Sequence, residues 1–233
     1  MLDAAGARLR DVLERDGVDS RHLAVRPGAT GRALIGVDDA GENSIIVVAG
    51  ANARVDTELI ADAAGVIRTA SVVLAQLEVP LASVAAALAT ARSGGAVTVL
   101  DPAPATPLPA ELLATCDVVV PNEHELALLG GTSHLLECGV GAVVVTLGAQ
   151  GVLVTTREAS YRVDPFAVAA VDTTAAGDAF CGALCAQLAR GAPLAEAVRF
   201  GAAAGALAAT VAGAVPSLPT RNAIERLVAT SGR

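Results

Sequence analysis

The feature that most constrains the fold is the alternation of short apolar runs with helical segments in the middle of the chain. Ser71–Leu74, Ala96–Leu100, Val118–Val120 and Ala142–Thr146 read as strands, with helical patterning over Ser83–Arg92 and Glu123–Leu129 between them. Strands this apolar must be covered on both faces, and helices inserted between strands are what cover them. The order therefore predicts an α/β fold: a mostly parallel sheet flanked by helices, an αβα sandwich. A hairpin-like pair, Gly151–Thr155 and Ser160–Val163, follows, and then two long Ala-rich helices over Gly177–Arg190 and Leu194–Val211.

Two segments precede the alternation. Leu2–Glu14 places Leu9, Val12 and Leu13 on one face and stops at Asp16-Gly17, which reads as an amphipathic helix. Ala33–Val37 and Ser44–Val48, joined by the turn-rich residues 38–43, read as a β-hairpin. Lying outside the alternation, this hairpin is expected to form a small flap or lid, assigned to residues 24–52. There is no internal repeat and no low-complexity linker.

Composition excludes several classes. Hydrophobic residues make up 53% of the 233 and aromatic ones 2%, with no Trp, so the core must be closely packed from small side chains. A formal net charge of −8 argues against a nucleic-acid partner, which needs a basic face. Gly201–Thr220 is uncharged over about the length of a membrane span, but it is mostly Ala and Gly and contains Pro216 and Pro219. It is expected to be a buried helix followed by a loop, with no membrane partner. Cys116, Cys138, Cys181 and Cys185 form no CxxC pair, and His22, His124 and His134 complete no zinc pattern. Cys181 and Cys185, one helical turn apart, read as small buried hydrophobes. With no signal-peptide pattern at Met1, free thiols in a cytoplasmic protein are expected.

The chemistry concentrates in Asp172-Thr-Thr-Ala175-Ala176-Gly177-Asp178, just before a strongly helical stretch. Ala175, Ala176 and Gly177 do not shield their own backbone, so N–H groups at the helix N-terminus can face an anion. Gly177 is expected to supply close approach or unusual dihedrals. Asp178 then sets a carboxylate beside the anion pocket, where it can accept the proton of an attacking hydroxyl. Donors for a phosphate plus a base are the requirements of phosphoryl transfer.

With these residues in view, the sequence resembles the ribokinase family of carbohydrate kinases, the PfkB family. The Asp172–Asp178 string matches the family's C-terminal signature, and further matches follow the family's order. They are Thr30-Gly31-x-Ala33 with Gly41-Glu-Asn and Gly50-Ala-Asn52 in the lid, Gln76-Leu-Glu78-x-Pro80, and Asp101-Pro-Ala-Pro. Asn122-Glu-His-Glu125, the loop Thr146-Leu147-Gly148-Ala149-Gln150-Gly151, and Gly213-Ala-x-Pro216-Ser217 complete the series.

The resemblance implies an ATP-dependent kinase acting on the primary hydroxyl of a sugar, D-ribose first, with another sugar, a nucleoside, or an impaired nucleotide-binding paralogue as alternatives. Asp178 is implied as the catalytic base and, with Glu78, as a sugar contact. Ala175, Ala176 and Gly177 are implied as the anion hole. Asn122, Thr146, Leu147, Gly148, Ala149, Gln150 and Gly151, with Gly177 and Asp178, are implied as ATP contacts. Glu125 is implied to hold Mg²⁺ through water. Asp172, Thr174, Ala208, Val211, Gly213 and Ser217 are implied as ligands of an activating K⁺, and the lid as a homodimer contact.

The resemblance also marks departures. Asp101 stands where members usually carry Asn, and Ala202 where they often carry an Asn beside the adenine. The family's Gly-Gly-x-x-x-Asn sugar-binding segment does not occur, which implies a domain shortened at the N-terminus, with an exposed sheet edge: either the true start lies upstream, the missing part is on another chain, or the chain is a shortened paralogue with weak activity. The stretch 130–138 is expected to lack the loop or helix that usually follows Asn-x-x-Glu.

Overall fold

The computed structural model describes residues 3–37 and 43–231; the connector 38–42, with Gly41 and Glu42 of the lid motif, lies outside them. Helix α1 (Ala4–Arg15) opens on Asp3, whose carboxylate accepts the Gly6 N–H at 2.8 Å. The same carboxylate accepts the Thr30 N–H at 2.9 Å and the Thr30 hydroxyl at 2.7 Å, tying α1 to the base of the hairpin. Strands β1 (Arg32–Val37) and β2 (Asn43–Val48) pair antiparallel as a sheet of their own, as the two β-like runs and their turn-rich connector predict. At its base Gly50 sits at φ 54°, where a Cβ would lie 2.5 Å from the Ala29 carbonyl oxygen.

After a 3-10 turn at Gly50–Arg54 come two short helices, α2 (Thr57–Asp62) and α3 (Ala64–Thr69). At six residues each they are too short to show a period in the sequence. The expected alternation then unfolds as β3 (Val72–Ala75), α4 (Leu81–Ser93), β4 (Val97–Leu100), α5 (Ala110–Leu113) and β5 (Val118–Val119). It continues through α6 (Glu123–Leu128), α7 (Gly131–Glu137), β6 (Ala142–Thr146), β7 (Val152–Thr156) and β8 (Ser160–Val163). Helix α7 corrects the expectation of no helix over 130–138: Gly130 and Gly131 both take φ 85°, ending α6 and restarting a helix at once. Helices α8 (Ala176–Leu188), α9 (Leu194–Ala208), α10 (Ala214–Ser217) and α11 (Arg221–Thr230) complete the described chain.

The six strands lie in the order β3-β4-β5-β6-β7-β8. The pairings from β3 to β6 are parallel, and those of β7 with β6 and β8 antiparallel. Successive side chains of a strand enter opposite cores. Val99 packs with Phe180, Leu184 and Val198 of α8 and α9, while its neighbour Leu100 packs with Leu88, Leu113 and Leu135. Each such side chain, fully buried, contributes roughly 1.5–3 kcal/mol. β3 is an outer strand of the described sheet, and Leu74 on it is 41% exposed.

Small residues decide how closely α8 and α9 approach. A Cβ on Gly201 would lie 3.0 Å from the Phe180 carbonyl oxygen, and one on Gly205 would lie 3.0 Å from that of Ala176. Cys181 is buried and Cys185 half-buried in this layer, where burial pushes both thiols up, Cys185 to about 11, so they are core hydrophobes rather than reactive groups. No described helix is long and apolar enough to cross a membrane.

Candidate active site

Four parallel strands end on one side of the sheet, and the singled-out motifs start there. Glu78 follows β3, Asp101 follows β4, Asn122 follows β5, and Thr146 closes β6. Backbone bonds stitch these ends together. Asp101 N–H donates to Ala75 O at 2.9 Å, Leu77 N–H to Ala103 O at 3.0 Å, and Thr146 N–H to Pro121 O at 3.0 Å. Asn122 and Thr146 form a parallel bridge, so the Asn-x-x-Glu motif and the Thr146–Gly151 loop lie side by side. The crevice at the carboxyl ends of parallel strands is where open α/β sheets bind ligands.

Helix α8 begins at this same crevice, since the Cys181 thiol donates to Asp101 Oδ2 at 3.7 Å. Its N-cap, Ala175, takes the left-handed conformation, φ 60° and ψ 10°, and is the positive-φ non-glycine of the described chain. This corrects the expectation for Gly177: the unusual dihedrals belong to Ala175. Gly177 instead leaves open space, with nothing within 4 Å of where a Cβ would be. The Ala176 N–H donates to Thr173 O at 3.1 Å. Among the described residues the Ala175, Gly177 and Asp178 amides meet no protein acceptor. Asp178 is exposed in the first turn. Unpaired N–H groups at the positive end of a helix, beside a free carboxylate, form a site for an anion and a proton acceptor.

Asp172 joins this turn to the end of α9. Its carboxylate accepts the Thr174 N–H at 2.9 Å and the Gly213 N–H at 2.8 Å. The Gly213 amide, then Thr174, holds the Asp172 carboxyl down at about 2. Ala209 O accepts the Val171 N–H at 2.7 Å and the Asp172 N–H at 3.2 Å. Of the residues implied for a monovalent cation, Asp172, Thr174 and Gly213 are thus brought into contact. Ala208 ends α9, Val211 N–H donates to Ala208 O at 3.1 Å, and buried Ser217 donates its hydroxyl to Ala214 O at 2.7 Å.

Asn122 and Glu125 form a capping box at α6. Asn122 Oδ1 accepts the Glu125 N–H at 2.9 Å, and Glu125 Oε2 accepts the Asn122 N–H at 2.8 Å. After β6, the 3-10 turn Gly148–Gln150 closes with Leu147 N–H donating to Gly151 O at 2.9 Å. Its two end glycines differ. A Cβ on Gly151 would collide with the Val163 carbonyl oxygen, whereas one on Gly148 would meet nothing. Glu78 is exposed, and its N–H is held by the Gln76 side chain.

Asp101 was absent from the expected site residues. Burial first, then the negative charges of Glu125 and Asp178, push its carboxyl up to about 6. The available signal was the acid itself, at a strand end that usually carries Asn.

Comparison with known proteins agrees with this geometry. The model of the pfkB family carbohydrate kinases matches residues 2–221. The ribokinase of Haemophilus influenzae is 37% identical over 232 residues, which cover 94% of this chain and 76% of that protein. That of Staphylococcus aureus is 40% identical over 203 residues, 82% of this chain and 67% of the relative. Among solved structures, Thermotoga maritima ribokinase superposes with a TM-score of 0.88 at 34% identity, over 97% of this chain and 78% of its own. Arabidopsis thaliana ribokinase, complexed with ribose and ATP, gives 0.81 at 33% identity, over 88% and 70%. With the family model matching residues 2–221 and two ribokinases 37% and 40% identical over most of the chain, this chain belongs to the pfkB family of carbohydrate kinases.

Proposed function

We propose that this kinase transfers the γ-phosphoryl group of ATP to the primary hydroxyl of D-ribose, forming ribose 5-phosphate. The observation that carries the reading is the start of α8, where an exposed Asp178 shares one turn with the unpartnered Gly177 and Asp178 amides over the open space at Gly177. Identities of 37% and 40% to two ribokinases, and likeness to the Arabidopsis ribokinase complexed with ribose and ATP, support ribose as the sugar.

In this reading Asp178 accepts the hydroxyl proton as the sugar oxygen bonds to the γ-phosphorus and the bond to the leaving ADP oxygen breaks. The Ala175, Gly177 and Asp178 amides stabilise the charge on the transferring group, and Ala176 shapes the pocket while its N–H stays on Thr173 O. ATP lies along Asn122 and the residues from Thr146 to Gly151. Glu78, on the strand end beside Asp101, binds sugar hydroxyls with Asp178, and the hairpin within 24–52 closes over them.

Glu125 spends one carboxylate oxygen on its helix cap, and the other meets no donor among the described residues. That hard oxygen fits a water-mediated contact to Mg²⁺, which neutralises phosphate charge when bound with ATP. Oxygen donors from Asp172, Thr174, Ala208, Val211, Gly213 and Ser217 fit K⁺ in the same way, and the Asp172 bonds hold the two contributing loops together. Outward-facing Leu34, Ile46, Val47 and Val48 support a homodimer through the hairpin.

The test is turnover of purified protein with ATP, Mg²⁺ and D-ribose, following ADP release and identifying the sugar phosphate by mass and NMR. ADP release without ribose 5-phosphate overturns the reading. So does another sugar or nucleoside preferred by more than about tenfold in kcat/KM.

A further inference from the structure

The phosphoryl transfer proposed above leaves Asp101 without a role, although it stands at the centre of the strand-end crevice. A carboxyl is an expensive group there. It is half-buried, the negative charges of Glu125 on α6 and Asp178 on α8 act on it, and the carboxyl is pushed up to about 6 as a result. An amide side chain would fill the same volume without that cost.

Its contacts are geometric ones. Asp101 N–H is bonded to Ala75 O, so the side chain is anchored in the sheet rather than on a loop. Its Oδ2 accepts the thiol of Cys181, 80 residues further along the chain. Cys181 is 2% exposed and follows Asp178 by three residues, which puts the two one turn apart on α8.

That turn has few bonds of its own. It starts from left-handed Ala175, the Ala176 N–H is turned back to Thr173 O, and the next two amides are unpartnered. What holds it in place is what lies against it: α9 at Gly205, close to the Ala176 carbonyl, and the end of β4 at Asp101.

We propose that Asp101 is a positioning residue for phosphoryl transfer: by accepting the Cys181 thiol it fixes the first turn of α8 to the end of β4, and so holds Asp178 and the Gly177 and Asp178 amides in their working orientation. This rests on the kinase reading. Misplacing a catalytic group by a fraction of its reach is costly even when substrates still bind.

The experiment combines ribose kinetics with amide hydrogen exchange on the full chain, for Asp101→Ala, Asp101→Asn, Cys181→Ala and the double alanine variant. Asp101→Ala should lower kcat about tenfold while KM for ATP moves less than about twofold, with faster exchange confined to residues 176–181. Asp101→Asn keeps an acceptor oxygen and should restore kcat to within about twofold of the parent. Cys181→Ala should reproduce the loss, and the double variant should be no worse than either single one. The proposal is overturned by losses that multiply in the double variant, by an Asn variant as poor as the Ala variant, or by Asp101→Ala leaving kcat and exchange unchanged. Should Asp101→Ala not fold, Cys181→Ala carries the decision with the same two readouts. If the parent does not phosphorylate ribose, the substrate reading fails by itself, and the exchange pattern still decides whether Asp101 holds α8.

Discussion

The Asp172 carboxylate accepts the Gly213 N–H at 2.8 Å, joining the turn before α8 to the turn after α9 across 41 residues of sequence. Because that bond favours the ionised carboxylate, the folded chain holds the group at about 2 against an ordinary 3.8. A depressed carboxyl contributes stability that is fully present above its unfolded value and is lost as pH falls through the folded one. Asp172→Asn should therefore lower Tm by a constant amount from pH 5 to 8 on this account, with the difference from the parent shrinking between about pH 4 and 2. A calorimetric pH series of the two proteins checks it, and a difference that grows in acid would contradict the assignment.

Asp178→Asn removes the proposed proton acceptor but keeps the helix start. Turnover should fall at least about 100-fold, within the range general-base removal costs. The Kd for ATP, measured by titration calorimetry, should stay within about threefold, since the amides proposed to meet the phosphate are backbone groups.

Ala175 pays for its φ of 60° with strain that a methyl side chain just tolerates. Ala175→Val should destabilise by about 2 kcal/mol, because a β-branched residue is far worse in the left-handed region. Ala175→Gly should change stability by less than about 0.5 kcal/mol, strain relief offsetting the entropy of the more flexible unfolded chain. Urea unfolding of the pair measures both.

Two glycines of the loop proposed to contact ATP should separate packing from binding. At Gly151 a Cβ runs into the Val163 backbone and the residue is at φ 86°, so Gly151→Ala should cost at least roughly 3 kcal/mol. Gly148 at φ 53° faces open space, so Gly148→Ala should cost only about 1 kcal/mol. The effect of Gly148→Ala should show instead in KM for ATP. Denaturant midpoints against KM distinguish the two positions.

Gly205 lets α9 lie against the Ala176 carbonyl. Gly205→Ala gains about 1 kcal/mol of helix propensity and loses a similar amount to overpacking, so Tm should hardly move. The displaced strain falls on the start of α8, so kcat should drop several-fold. Steady-state kinetics beside thermal unfolding tests this.

Much was legible in the sequence because the relevant signals are local. Apolar runs of three to five residues and the small residues before Asp178 each carry their meaning within one turn or strand. The strand-helix order and the hairpin follow from them, whereas the motif residues beyond Asp172–Asp178 rest on the family resemblance. Helices α2, α3 and α7 are not legible, since elements of six or seven residues carry too little periodicity; α3 and α7 moreover start on alanine and glycine, and the Asp56 cap of α2 does not by itself mark a helix.

By itself, then, the sequence determined that an α/β sheet would be followed by a long helix, and that Asp172 to Asp178 would form the turn that starts it. The tertiary structure decided which backbone group carries the strain, Ala175 rather than Gly177, because that depends on where α8 must start relative to α9. It also decided that Asp172 reaches Gly213 and that Asp101 reaches Cys181. Those contacts join residues 41 and 80 positions apart, and no local pattern encodes a bond made only when sheet and helices close on each other.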